Sequence, residues 1–421
     1  MDYVIIGNSA AAVGAIEGIR KVDRKGGITV ISDEPYHTYS RPLISYWLAG
    51  KVVEDKLIYR DKDFYKVNKV TAMLGLRACK IDFDGKKVEL EDGTTAAYDK
   101  LLIATGGTPV IPQVEGFEKE GVYFFTKFDD VKKIKKAVDS GKKTAVIIGA
   151  GLIGLKAAEA LRKLDVKVTV VELSNRILPA ILDEEAGQMV QAYLEGKGIN
   201  FKLTNSVTKI LGDKEVSGVV LKNEAEISSD MLVVAIGVTP NTELIADKVK
   251  FNRGIVVNEK METNISGVYA AGDVSEGFDI VYGSNRVLPL LPNAYLQGET
   301  AGRNMAGAET EFSGGLAMNA IGFGDLPMLT AGIINPDTAE FEILVDSYPE
   351  KYSYRKIILR NNRIVGYILL NEIERAGILT GLIRDKIDIT PFKERLMSSD
   401  FGYVDFPESV RKFRLSGGAV Q

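Results

Sequence analysis

Residues 144–172 read TAVIIGAGLIGLKAAEALRKLDVKVTVVE, and this stretch decides the fold. An apolar strand runs into the complete Gly-x-Gly-x-x-Gly pattern of Gly149, Gly151 and Gly154. A helix with alanine and leucine on its packed face follows, and a second strand ends at Glu172. The first glycine permits a tight turn, the second lets the backbone approach a pyrophosphate, and the third lets the helix pack closely on the strand. The stretch predicts a Rossmann-like dinucleotide-binding unit.

The helix N-terminus and the final acid of this unit predict its ligand. Free N–H groups and the positive end of a helix dipole favour phosphates. Glu172 stands where an acid accepts hydrogen bonds from ribose hydroxyls, and its charge would repel a 2′-phosphate, so we expect NAD rather than NADP. The predicted NAD-binding residues are Gly149, Gly151, Leu152, Ile153, Gly154, Glu172, Ile236 and Gly237.

The N-terminus repeats this plan with less regular residues. YVIIGNSAAAVGAIEGIR (3–20) predicts a strand, a turn and a helix, and GGITVISDE (26–34) predicts the second strand. Gly7 fills the first glycine position, while Ser9 and Ala12 fill the second and third, where small residues still allow close approach. The acid at the strand end is Asp33 or Glu34, and the sequence leaves both open.

Three further segments predict how the chain passes between two such domains. The strands in residues 98–112 and 228–244 both end in a Gly-x-x-Pro type exit, as if the chain leaves a domain and later returns to it. GVYAAGDVSE (267–276) places Asp273 on a glycine turn after a short strand, where it can accept hydrogen bonds from sugar hydroxyls. We expect a first domain at 1–108 and 238–313, and an NAD domain at 109–237.

Composition restricts the class of protein. A chain of 421 residues predicts two or three domains, and a net charge of −4 lacks the basic surplus of a nucleic-acid binder. One cysteine and one histidine exclude a disulfide framework and a Cys/His metal cage, and they suit a reducing cytoplasm. The N-terminal stretch has no basic region typical of a signal peptide, and no apolar run is long enough to span a membrane.

The dinucleotide pattern stops near residue 314. Residues 341–370 alternate as strands with an Asn-Asn turn signal, and residues 371–386 predict a helix, so 314–421 is expected to be a small α+β domain. Its basic residues could steer an acidic iron–sulfur carrier, but the favoured explanation is that they lie on strand faces alternating with solvent. These residues are Arg355, Lys356, Arg360 and Arg363.

In this order, the motifs resemble the flavoprotein family with two dinucleotide-binding domains, the pyridine nucleotide-disulfide oxidoreductases. That family includes rubredoxin and ferredoxin reductases, NADH oxidases, the flavin part of nitrite reductase, and flavoproteins that accompany carbon monoxide dehydrogenase. The resemblance rests on the two fingerprints, the Ala-Thr-Gly of 104–106, the Ala-Ala-Gly-Asp of 270–273 and AYLQG at 294–298. It predicts an α/β fold with two Rossmann-like domains, for FAD and NAD, and the C-terminal α+β domain.

The resemblance also implies roles for individual residues. The backbone of Ala78 and Cys79 would lie near the adenine, and the helix that opens near Asn293 would point its N-terminus at the flavin. Arg41 and Pro42 would brace the FAD pyrophosphate and flank the flavin. In the family the C-terminal domain covers the flavin and makes dimer contacts or docks a partner. The implied FAD-binding residues are Gly7, Ser9, Ala10, Ala11, Asp33, Glu34, Arg41, Pro42, Ala78, Cys79, Ala104, Thr105, Gly106, Gly272, Asp273, Asn293 and Ala294.

Departures from the family pattern restrict the reactions that we expect of this protein. Relatives that use a thiol carry a redox cysteine in the segment that reads YHTYSRPLISYW (36–47) here, and this segment has none. Disulfide reductase and peroxidase chemistry is therefore disfavoured. Tyr46 and Lys156 replace a lysine and a glutamate that pair in some relatives. Lys156 either brings positive charge toward the flavin, as a tuner of its reduction, or extends into solvent. His37 is expected near the adenosine and away from catalysis.

The expected function is electron transfer between NAD(H) and a small iron–sulfur carrier through FAD. No side chain is a certain catalyst, because the flavin itself takes the hydride. Two alternatives stay open: an NADH oxidase that reduces oxygen to peroxide, and a redox-sensing or scaffold flavoprotein. The expected partners are NADH and a rubredoxin-like or ferredoxin-like protein, with a link to carbon monoxide dehydrogenase and a homodimer as further expectations.

Overall fold

A computed structural model describes residues 1–415, with nine α-helices and 26 strands in that range. The helices are α1 (Ala10–Val22), α2 (Ile44–Leu48), α3 (Phe64–Val67), α4 (Phe128–Asp139), α5 (Leu152–Lys163), α6 (Glu184–Gly196), α7 (Leu291–Met305), α8 (Ala376–Arg384) and α9 (Glu408–Leu415). The strands are β1 (Asp2–Ile6), β2 (Gly27–Ser32), β3 (Val70–Leu74), β4 (Ala78–Asp82), β5 (Lys87–Leu90), β6 (Thr95–Ala97), β7 (Lys100–Ile103), β8 (Gly107–Pro109), β9 (Val122–Phe124), β10 (Thr144–Ile148), β11 (Lys167–Val171), β12 (Ile199–Lys202), β13 (Val207–Leu211), β14 (Gly218–Leu221), β15 (Glu226–Ser228), β16 (Met231–Val234), β17 (Val238–Pro240), β18 (Ile255–Val256), β19 (Val268–Ala270), β20 (Ser275–Asp279), β21 (Ser284–Val287), β22 (Met318–Phe323), β23 (Leu326–Gly332), β24 (Glu342–Tyr348), β25 (Ser353–Arg360) and β26 (Arg363–Leu370).

The chain forms two compact units, each built from two separate segments. Unit 1 comprises Met1–Val110 and Val238–Leu316, and unit 2 comprises Ile111–Gly237 and the chain from Ala317 onward. The chain leaves unit 1 after β8 and re-enters it at β17, and these two strands pair in an antiparallel ribbon. The predicted domain limits remain predictions, and residues 416–421 of the predicted C-terminal domain lie outside the described residues.

Each unit contains a five-stranded parallel sheet of the same plan. In unit 1 the strand order is β19-β7-β1-β2-β3, and in unit 2 it is β12-β11-β10-β16-β9. The glycine-rich turn follows the central strand of each sheet, β1 or β10, and leads into α1 or α5. Both central strands are almost fully buried, as expected of a strand that is covered on both faces. The predicted α/β class with two Rossmann-like units is confirmed.

The C-terminal part of unit 2 is an antiparallel sheet of order β22-β23-β26-β25-β24 with α8 against β26. The predicted α+β domain is therefore confirmed in class. Lys356 on β25 is buried, and its Nζ lies 2.8 Å from a carboxylate oxygen of Asp183, the residue that caps α6. Its proposed role in attracting a partner is wrong, because a buried and paired ammonium presents no charge to a docking protein.

Unit 1 is closed by an unusually close crossing of α1 and α7. A Cβ atom built on Gly298 or Gly302 of α7 would lie 2.0 or 2.2 Å from the carbonyl oxygen of Ala11 or Ala15 on α1. The contact is reciprocal, since a Cβ on Gly14 of α1 would lie 2.2 Å from a carbonyl oxygen of α7. Such backbone-to-backbone contact requires residues without a side chain, and it joins the two chain segments of unit 1.

We predict that Gly302→Ala destabilises the protein. The substitution favours the helical state by about 1 kcal/mol. The new methyl group, however, meets a backbone oxygen that no rotamer change can move, and such overpacking costs about 1–3 kcal/mol or more. Denaturant unfolding should show a net loss of stability for Gly302→Ala. Gly196→Ala in α6 is the control, because nothing lies within 4 Å of its Cβ position. Equal behaviour of the two variants would contradict the close crossing.

Candidate functional site

The turn between β1 and α1 leaves a helix N-terminus open to a ligand. Gly7 has φ +121°, and a Cβ on it would lie 2.1 Å from the carbonyl oxygen of Ala104, so only glycine fits. Ser9 is the N-cap residue of α1, but its side chain makes no capping hydrogen bond. Ala10 and Ala11 follow as small, buried residues. The first N–H groups of α1 are thus available to an anion such as a pyrophosphate.

The loop after β2 builds a charged network around Arg41. Arg41 Nη2 donates to Glu34 Oε1 at 2.5 Å, and the hydroxyl of Tyr39 donates to Glu34 Oε2 at 2.6 Å. Arg41 Nη1 also lies 3.2 Å from the Tyr39 hydroxyl. Glu34 is buried and uses both oxygens in this network, whereas Asp33 is exposed. The two acids that the sequence could not separate therefore have different surroundings, and Glu34 orients the arginine.

Two carboxylates act on the Arg41 guanidinium. Burial works to lower the pKa of Arg41, but Tyr39, Glu34 and Asp273 together raise it above its ordinary value. Burial also raises the pKa of Asp273, and the positive charge of Arg41 opposes that rise. None of the described residues donates a hydrogen bond to Asp273. This half-buried carboxylate is thus available to a hydroxyl group of a ligand.

The other predicted FAD residues of unit 1 have mixed surroundings. The Thr105 hydroxyl donates to the carbonyl oxygen of Asn241 at 2.9 Å, and Asn241 Nδ2 donates back to the carbonyl oxygen of Thr105. Gly106 has φ +67° with nothing within 4 Å of its Cβ position. Asn293, in the first turn of α7, donates to the carbonyl oxygen of Leu316 at 3.1 Å. The remaining predicted residues lie on these elements: Ala104 and Gly272 after β7 and β19, Ala294 in α7, Ala78 and Cys79 at the start of β4, and exposed Pro42 next to Arg41.

The turn between β10 and α5 repeats the first turn with full glycine geometry. Gly149 has φ +102°, and a Cβ on Gly154 would lie 2.1 Å from the carbonyl oxygen of Gly149. Gly151 differs, because nothing lies within 4 Å of its Cβ position and its φ is −76°. Its missing side chain therefore serves no internal contact and leaves room for a ligand. No side chain caps α5 at Gly151.

The residues around this second turn lie at the carboxyl ends of strands in the unit 2 sheet. Glu172, at the end of β11, accepts hydrogen bonds from the N–H groups of Ala150 at 2.7 Å and Ser174 at 2.8 Å. Glu172 therefore holds the glycine turn, and its role in binding a ribose stays a prediction. Ile153 and Ile236 are partly exposed, and Gly237 has φ +124° with open space at its Cβ position. Leu152 opens α5 beside them.

Lys156 and His37 are both engaged inside their own units. Lys156 forms an ion pair with Glu159, and its Nζ donates to the carbonyl oxygen of Gly322 at 3.1 Å. Its side chain is 13% exposed, so the alternative of a solvent-extended lysine is wrong, and a tuning role stays a prediction. The His37 ring packs against the Tyr65 ring at a tilt of 44°, and its Nδ1 lies 3.2 Å from the carbonyl oxygen of Thr38.

The described residues fit two dinucleotides. Each unit offers a glycine turn and a helix N-terminus without a side-chain cap, and unit 1 adds Arg41 and Asp273, which accepts no hydrogen bond from the residues described. Within residues 1–415, no group of three His, Cys, Asp or Glu side chains could hold a metal ion. No helix in the same range is long and apolar enough to cross a membrane. Fold and sites together define a flavoprotein with two dinucleotide-binding units.

The chain belongs to the pyridine nucleotide-disulphide oxidoreductase family, whose model matches residues 1–298. Residues 318–387 match the rubredoxin NAD+ reductase C-terminal domain. As in that family, the cofactors are FAD and NAD(H), and the protein is an NAD(H)-dependent flavin oxidoreductase.

Individual relatives agree with this assignment. The chain is 33% identical to the NAD(P)H nitrite reductase of Bacillus subtilis across 92% of its own length, but it spans only 48% of that protein. It is 30% identical to the rubredoxin-NAD(+) reductase of Pseudomonas putida, covering 91% of this chain and 99% of that one. The structure of an NAD-dependent persulfide reductase from A. fulgidus superposes with a TM-score of 0.88 at 30% identity, over 99% of this chain and 84% of the other.

The sequence did not predict two residues that organise the first site, Tyr39 and Gln297. Tyr39 lies two residues before Arg41 in the same loop, and no sequence pattern marks it as a hydrogen-bond partner of Glu34. Gln297 lies in the AYLQG motif, but a glutamine on a helix is normally exposed, so its burial was not predictable.

We predict that Gly151→Ala and Gly154→Ala fail in different ways. Gly151→Ala should leave the thermal midpoint unchanged, because its Cβ meets open space, yet it should weaken NADH binding at least about tenfold by obstructing the pyrophosphate. Gly154→Ala should lower the thermal midpoint, because its Cβ clashes with the backbone of Gly149. Thermal unfolding and NADH titration separate the two effects. Wild-type NADH affinity in Gly151→Ala would contradict the placement of the coenzyme.

Proposed function

We propose that the protein transfers electrons between NAD(H) and a small iron–sulfur carrier of the rubredoxin or ferredoxin type. The observation that carries the proposal is the absence of a redox cysteine. The only cysteine of the chain, Cys79, is an exposed residue at the start of β4, and residues 36–47 contain none. Thiol-dependent chemistry needs a thiolate nucleophile beside the flavin, so electrons must leave by another route.

The residues of the two sites have defined tasks under this proposal. Bound FAD would supply the hydride acceptor for NADH and the electrons for a one-electron carrier. The N-termini of α1 and α5 bind the two pyrophosphates, and Glu172 selects NADH through its ribose. Glu34 and Tyr39 hold the Arg41 guanidinium beside the first pyrophosphate, where its fork-shaped donors suit phosphate oxygens.

The identity of the carrier rests on two supports. The rubredoxin NAD+ reductase C-terminal domain matches residues 318–387, and the rubredoxin reductase relative is matched over nearly its whole length. Arg363 at the start of β26 is exposed, so its charge lies at the surface, whereas Lys356 is buried. A carrier that serves carbon monoxide dehydrogenase, and a homodimer, remain predictions from the resemblance.

The rate of flavin reoxidation should separate this function from its rivals. In a stopped-flow experiment, NADH should reduce the flavin rapidly, and oxidised rubredoxin or a two-iron ferredoxin should reoxidise it far faster than air-saturated buffer. Flavin absorbance reports both steps. Enzyme-like reoxidation by oxygen alone would point instead to an NADH oxidase. Slow reduction by NADH, together with a change in assembly, would point to a redox sensor.

A further inference from the structure

Gln297 is a fully buried glutamine in the middle of α7. Its Oε1 accepts a hydrogen bond from the N–H of Gly272 at 2.8 Å, and the Ser275 hydroxyl lies 3.3 Å from the same oxygen. Gly272 and Ser275 begin and end a turn that is closed by a Ser275 N–H to Gly272 carbonyl hydrogen bond of 2.9 Å. The side chain of Gln297 thus connects α7 directly to the turn that carries Asp273.

The turn is also held by a hydrogen bond from the Ser275 hydroxyl to the carbonyl oxygen of Gly272 at 3.0 Å, and by close packing against two helices. Gly272 adopts φ +83°, and a Cβ on it would lie 3.2 Å from Ala11 Cβ and 3.6 Å from Ala294 Cβ. The turn is therefore wedged between α1 and α7, and its leading N–H would be a buried donor without the glutamine carbonyl. Asp273, the second residue of the turn, receives no hydrogen bond from the described residues, so the shape of the turn and the charge of Arg41 set the direction of its carboxylate.

Of the two polar atoms of the Gln297 amide, only the carbonyl oxygen bonds to other described residues. Gln297 Nε2 is buried and has no hydrogen-bond partner among the described residues. A Cβ on Gly277 would lie 2.3 Å from this nitrogen, so the absence of a side chain at Gly277 makes room for the amide. Burying an amide nitrogen without a partner is unfavourable, and a nonpolar side chain of similar length would avoid that cost.

We propose that Gln297 is a positioning residue for FAD, which acts by holding the Gly272–Ser275 turn so that the Asp273 carboxylate meets a sugar-type hydroxyl of the cofactor. Asp273 and Arg41 contact the ligand, whereas Gln297 does not. The same helix presents Asn293 and Ala294 at its N-terminus, so the amide keeps the turn in register with that end of α7. This inference concerns the cofactor alone and does not depend on which acceptor receives the electrons.

The test compares Gln297→Met with a matched amide on the same helix. Asn304 in α7 is also buried, but its amide bonds the carbonyl oxygens of Lys260 and Thr310, away from the Gly272 turn. Both variants are stripped of FAD, their thermal midpoints are measured, and FAD is titrated back by the change in its fluorescence. We expect Gln297→Met to weaken FAD binding at least about tenfold, and Asn304→Leu to bind FAD within about twofold of wild type despite a comparable loss of apoprotein stability.

A double-mutant cycle distinguishes positioning from a general loss of structure. If Gln297 acts through Asp273, Gln297→Met should weaken FAD binding little further in an Asp273→Asn background, since interacting residues are not additive. Additive effects of the two substitutions would overturn the proposal. Wild-type FAD affinity in Gln297→Met would also overturn it, as would an equal loss of affinity in Asn304→Leu.

Discussion

The contact between α1 and α7 is the constraint on which the FAD-binding unit depends. The two helices come from opposite ends of the dinucleotide-binding part of the chain, and glycines on each helix meet backbone atoms of the other. The N-terminus of α1 carries the glycine turn and Ser9, and α7 carries Asn293 at its N-terminus and Gln297 in its middle. Because backbone meets backbone at these glycines, the distance between these groups is set mainly by backbone contact and less by flexible packing.

Charge interactions, in addition to the α1–α7 crossing, shape the candidate FAD site. Arg41 is oriented by Glu34 and Tyr39, and the carboxylate of Asp273 acts on it through charge. Because a buried carboxylate holds Arg41, its guanidinium donors keep one direction. We expect this fixed direction to favour the binding of a pyrophosphate. The second dinucleotide unit uses a simpler arrangement, in which Glu172 itself holds the glycine turn through two backbone N–H groups.

Local sequence patterns were sufficient to predict the fold. The fingerprint at Gly149, the near-repeat at Gly7 and the two exits near residues 106 and 237 depend on turn geometry and periodicity within short stretches. Side-chain partners could not be predicted in the same way. The pairing of Lys356 with Asp183, the hydrogen bond from Lys156 to the carbonyl oxygen of Gly322 and the burial of Gln297 each depend on residues far apart in sequence. The different surroundings of Asp33 and Glu34 likewise depend on the position of Arg41 in space.

We propose that the two chain segments joined by α1 and α7 form a single FAD site. A crystal structure of the protein with bound FAD tests this claim most directly. We predict a pyrophosphate against the Gly7–Ser9 turn and Arg41, with a sugar-type hydroxyl of FAD on the Asp273 carboxylate. An FAD molecule that contacts only one of the two segments, or that lies on the Gly149 turn of unit 2, would contradict it.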